Sequence, residues 1–70
     1  MAEEVRAEIV STVQAVKVAV GDQVHADQRL VLLDSMMMEI PVTAPIDGEV
    51  TSIVVPGQVL QYGDLIAVVS

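Results

Sequence analysis

Seventy residues carrying ten acidic and three basic side chains give a net charge of −7, and there is no cysteine. A disulfide framework and a thiolate metal site are thereby excluded, and a single histidine, His25, supplies no histidine cluster. A surface this acidic repels phosphate backbones and anionic headgroups, so neither nucleic acid nor membrane is an expected partner.

A chain of this length makes one domain, 1–70, whose core supplies only ~3–5 kcal/mol. Fifteen valines and five isoleucines against one tyrosine and no Phe or Trp favour pleated strands over helices, and predict an all-β fold. The opening "MAEEVRAEIV" is acidic where a signal peptide is basic. The expectation is an acidic tail over 1–4, a structured part over 5–69, and a soluble, cytoplasmic monomer. Val16, Val18 and Val20 alternate with Lys17 and Ala19, the period of a half-buried strand, and Gly21-Asp22 closes it as a turn. Leu30 to Leu33 reads as a buried strand. Ile40 to Val42 reads as another, on an edge because Pro41 has no N–H. Asp47-Gly48 is a hairpin signal, and Pro56-Gly57 and Gly63-Asp64 are further turns. The longest apolar run, Leu65 to Val69, is too short to span a bilayer as a helix.

The halves repeat. Val24 and Leu30 match Val59 and Leu65 at an offset of 35, while Val13, Val16 and Val18 match Val50, Ile53 and Val55 at an offset of 37. The second half then lacks two residues near Pro56-Gly57. Seven or eight strands of three to six residues follow, forming two small antiparallel sheets packed as a flattened barrel. Between the halves lies "D34-S-M-M-M-E-I-P-V42", which holds every methionine of the chain except Met1. It falls at a hairpin tip, where a rigid scaffold commonly displays function.

That stretch carries a resemblance. Asp34, Ser35, Met36, Met38 and Glu39, followed by Ala44, Pro45, Gly48 and Val50, resemble the attachment motif of the biotinyl domains, E/D-A/S-M-K-M and then A-P-x-x-G-x-V. "G21-D-Q-V24" and "Y62-G-D-L-I66" resemble that family's paired G-D-x-V and G-D-x-L turns, so the likeness spans 5–69. The short length also resembles the small free-standing biotinylated proteins of actinobacteria. The resemblance implies two four-stranded antiparallel sheets related by a quasi-two-fold, in the biotinyl/lipoyl hammerhead form. It implies a carrier that is not itself an enzyme, with biotin on a tip lysine that shuttles carboxyl groups between a biotin carboxylase and a carboxyltransferase, as in acyl-CoA carboxylases. It further implies that a biotin protein ligase reads Asp34, Ser35, Met36, Met38 and Glu39.

The family's lysine position holds Met37. Amide formation with biotinyl-adenylate needs an amine lone pair, and a thioether has none to offer. The chain as written cannot be biotinylated there, and no covalent cofactor is expected on it. Methionine is unbranched like lysine, so the exchange reads as an engineered replacement; a natural, unmodified interaction or decoy module for ligase or carboxylase subunits is the alternative. A lipoyl carrier is a further alternative, set back because lipoyl tips carry D-K-A and not flanking methionines. No thumb insertion precedes the motif.

Plainer readings stand beside these. Three thioethers can fill gaps at a strand end, and Asp34 and Glu39 can be solvated hairpin charges. His25 is expected at the surface beside a turn, and Tyr62 covering the barrel end beside Gly63. Lys17, the only lysine, lies on a strand pattern and is a poor target for a modifying enzyme. No Ser-His-Asp order, phosphate-cradling loop or metal-ligand spacing is present.

Overall fold

Inward and outward residues alternate along the second strand, where Ser11 and Val13 are buried and Thr12 and Gln14 exposed. In the computed structural model, which describes residues 2–36 and 38–70, eight strands form: β1 Glu3–Arg6, β2 Ser11–Val16, β3 Gln23–Val24, β4 Arg29–Ser35, β5 Met38–Thr43, β6 Gly48–Ile53, β7 Val59–Leu60 and β8 Leu65–Val69. They make two four-stranded sheets, β1-β8-β6-β3 and β5-β4-β2-β7, with every pairing antiparallel. Advancing each strand of the first order by four places in the cycle of eight gives the second. The internal repeat is therefore a repeat of topology.

Hydrogen bonds fix the register of that repeat. Gly21 N–H donates to Val50 C=O and Gly57 N–H to Val13 C=O, both at 2.8 Å, so the turns correspond at an offset of 36. The buried residues agree: Val24, Leu30 and Leu33 take the places that Leu60, Ile66 and Val69 take in the other half. The offset of 35 read from the sequence is corrected by one residue, and the second half lacks one residue, not two. Side chains alternate with a period of two, so that one-residue difference turns Val59 outward and Leu60 inward.

Each half also carries matched bulges. The register of β4 against β5 shifts between Arg29 and Val31, and that of β1 against β8 shifts between Val5 and Arg6, opposite Ile66. Both places let two consecutive residues turn inward, Leu30-Val31 and Ile66-Ala67. Among the described residues the buried apolar core is made only of Val, Leu, Ile and Ala. Leu30, Leu60, Ile66, Val13, Val31, Val50 and Val69 are its largest fully buried side chains.

Other expectations change. Glu3 and Glu4 pair with Val69 and Val68 in β1, so they are strand and not tail. The strand expected around Val16 to Val20 lies earlier, over Ser11–Val16, and Val20 is 61% exposed. Asp47-Gly48 makes no hairpin: β5 and β6 belong to different sheets, and the segment crosses between them. Tyr62 stands in solvent, 77% exposed, in place of covering the barrel end. Strands run from two to seven residues, a wider range than expected.

Asp27 occupies the turn position that Gly63 occupies in the other half, with φ of 71° against 89°. Aspartate tolerates this left-handed region better than a β-branched residue does. Asp27→Val is expected to lower stability by about 1–2 kcal/mol, the cost of a side chain in this region, while Asp27→Gly keeps it. Thermal melts of the two variants check this.

Candidate functional site

The β4–β5 hairpin builds the tip from its base outward. Asp34 faces Glu39 and Ser35 faces Met38 in the ladder, so the pairing of β4 with β5 runs out to Ser35 and Met38. Met36 adopts the left-handed region, φ 46°, as tight two-residue hairpin loops require. Its side chain is 88% exposed and that of Met38 is 66% exposed. Met37 lies outside the described residues. Thioethers of Met36 and Met38 therefore stand in solvent and fill no gap in the core.

Two side-chain hydrogen bonds tie the base of the hairpin to the rest of the sheet. Ser35 is buried, and its Oγ donates to the Val10 carbonyl at 2.7 Å, tying β4 to the connection between β1 and β2. Across the sheet, the Gln14 amide donates to Glu39 Oε2 at 3.2 Å. Asp34 and Glu39 are both exposed, so two like charges face each other in water, where their repulsion is screened. Pro41 lies on β5, an edge strand, where a residue without an N–H is tolerated. The structure thus brings Asp34, Ser35, Met36, Met38 and Glu39 together on one projecting hairpin. His25, Lys17 and Tyr62 are exposed elsewhere on the chain.

Gln14 and the Val10 carbonyl escaped sequence reasoning. Each lies 25 residues from its partner, and an exposed glutamine on an alternating strand carries no signal of a long-range bond. Ser35→Ala is expected to cost about 0.5–1.5 kcal/mol, the net worth of one hydrogen bond, read as a lower urea midpoint with an unchanged slope.

Chemically, the described tip offers two carboxylates, a committed hydroxyl and two thioethers.

Comparison with known proteins places the chain in a family. The model of the Biotin_lipoyl family, described as "Biotin-requiring enzyme", matches residues 3–69. Over all of both chains, the sequence is 56% identical to "Biotinylated protein TB7.3 homolog" of Mycobacterium leprae. The fold superposes on part of a single-chain, multi-domain long-chain acyl-CoA carboxylase with a TM-score of 0.87 and 32% identity. It superposes on part of the urea carboxylase of Kluyveromyces lactis with a TM-score of 0.91 and 31% identity. These matches cover 96% and 100% of this chain but only 7% and 6% of the carboxylases. With its two matched sheets and exposed central hairpin, the chain belongs to the biotinyl/lipoyl-attachment family of carrier domains.

Proposed function

We propose that this chain is the scaffold of a biotin carboxyl carrier, with the attachment position at residue 37 and Met37 standing in place of the lysine. The observation that carries the reading is the exposure of Met36 and Met38 on either side of that position, on a hairpin with a fixed base. The name of the Mycobacterium leprae relative and the two carboxylase superpositions support it.

In a lysine-bearing parent the amine attacks the carbonyl of biotinyl-adenylate, an amide forms, and AMP leaves. Methionine has no nitrogen with which to make that bond, so the chain as written carries no biotin at residue 37. The protein's own work is presentation. A stiff aliphatic core holds the hairpin, Ser35 anchors it, and the flanking methionines and carboxylates give a ligase something to read. The proposed partners are a cytoplasmic biotin protein ligase and then, for the loaded parent, biotin carboxylase and carboxyltransferase components of an acyl-CoA carboxylase-like system. The replacement at 37 is proposed to be engineered, and a natural gene encoding methionine there would overturn that.

The test of the carrier role uses Met37→Lys after loading with biotin. Incubated with a biotin carboxylase, MgATP and radiolabelled bicarbonate, it is expected to acquire acid-labile label on the chain. A loaded variant that stays unlabelled rules out carboxyl carriage. Lipoate ligase in place of biotin ligase is expected to leave its mass unchanged, whereas a lipoyl adduct would reassign the carrier.

A further inference from the structure

All the sulfur of the chain is in methionine, at Met1 and at 36–38, and the sequence has neither cysteine nor tryptophan. The buried apolar side chains among the described residues are Val, Leu, Ile and Ala, whereas Met36 and Met38 are 88% and 66% exposed. Among the described residues, oxidisable sulfur thus lies at Met36 and Met38, outside the buried apolar core.

We infer that Met36 and Met38 form a reversible oxidation site, and that oxygen added there weakens recognition of the tip by biotin ligase. The second half of this inference rests on the carrier reading. The oxidant is a hydroperoxide, hydrogen peroxide in the simplest case. A lone pair on Sδ attacks one peroxide oxygen and the O–O bond breaks. Sulfur is oxidised by two electrons to the sulfoxide, and the other oxygen takes up a proton and leaves as water. Methionine sulfoxide reductase reverses the step with a thiol reductant. The product replaces a soft apolar surface with a polar S=O on both sides of the attachment position. The bond from Ser35 Oγ to the Val10 carbonyl involves no sulfur and is expected to hold the base after oxidation.

The experiment has two arms. In the first, the chain is exposed to hydrogen peroxide, folded or unfolded in guanidinium, and oxygen incorporation is followed by peptide mass mapping. Met36 and Met38 are expected to oxidise within about twofold of the same rate in both states, as exposed thioethers do. The thermal midpoint of the folded, oxidised chain is expected to stay unchanged. Protection of either residue on folding by about tenfold, or a lowered midpoint, overturns the site.

In the second arm, Met37→Lys is oxidised, freed of peroxide and given to biotin ligase with biotin and ATP. Its initial rate is expected to fall about tenfold, equivalent to about 1.4 kcal/mol, and to recover after treatment with the reductase. Met36→Leu/Met37→Lys/Met38→Leu is expected to show the same rate before and after peroxide, whatever that rate is. Equal rates for reduced and oxidised Met37→Lys overturn the switch and leave the carrier reading standing. No biotinylation of the reduced variant overturns the carrier reading, and the switch falls with it.

Discussion

Leu30→Ala is expected to leave most of the chain unfolded at 25 °C. Leu30 has no exposed surface and lies at the β4 bulge, where two consecutive residues turn into the core. Removing a buried leucine side chain costs about 2–5 kcal/mol, counting lost transfer energy and the cavity left behind. A domain this small holds only ~3–5 kcal/mol in its core. No aromatic side chain lies beside the space to repack it, since the only one, Tyr62, stands in solvent. The loss also reaches the tip, because β4 is the strand that carries Asp34 and Ser35 to it. Loss of dispersion in the amide NMR spectrum, with a collapsed or absent thermal transition, is the expected readout. Val20→Ala, at an exposed position, is the control and is expected to shift stability by less than about 0.5 kcal/mol. A Leu30→Ala chain that melts like the parent would show that the core is arranged differently.

Gly48→Ala is expected to be the most damaging change of a single methyl. A Cβ at this position would sit 2.5 Å from the Ser70 carbonyl oxygen and 2.9 Å from its carbon. Neither atom can retreat freely: Ser70 N–H donates to Glu49 C=O at 2.9 Å, and Glu49 N–H donates to Ser70 C=O at 2.7 Å. Gly48 also pairs with Val24, holding the short β3 to the sheet. Relief requires β6 and the end of β8 to separate, breaking ladder bonds. Overpacking of this kind costs about 1–3 kcal/mol, and in a domain of this size each kcal/mol lowers the melting temperature by about 4–8 °C. A scanning melt checks it, and an unchanged midpoint would contradict the close approach of the two strands.

Gly48 also shows where sequence reasoning ran out. Asp-Gly announces a change of direction, and the chain does turn there, but the dipeptide cannot say whether the next strand pairs with the last or crosses to the other sheet. That is decided by which strands share the core. The aliphatic composition made the fold class legible. Gly21, Gly57 and Gly63 made three turns legible, since each has the positive φ that glycine accepts most readily. Register was harder. Val59-Leu60 and Leu65-Ile66 are apolar at both positions, so matching residue types cannot show which member faces inward, and the bulges at Leu30 and Ile66 obscure the alternation further.

The candidate site was more legible than the core because it is local. Asp34, Ser35, Met36, Met38 and Glu39 are contiguous but for position 37, and a tight hairpin needs only its own residues to bring them together. What holds that hairpin was invisible. The Val10 carbonyl under Ser35 and the Gln14 amide at Glu39 both come from the preceding part of the chain, and both depend on how β2 lies against β4. Tyr62 failed for the same reason: a ring beside a glycine turn covers a barrel end only if the neighbouring strands curl toward it.

The most direct measurement is the intact mass of the chain and of Met37→Lys, each incubated with biotin, ATP and a biotin protein ligase. One biotinyl group on the lysine variant and none on the parent is the expected result, with the adduct mapped to position 37. An unchanged mass for the folded Met37→Lys variant would contradict the account, and so would an adduct at Lys17.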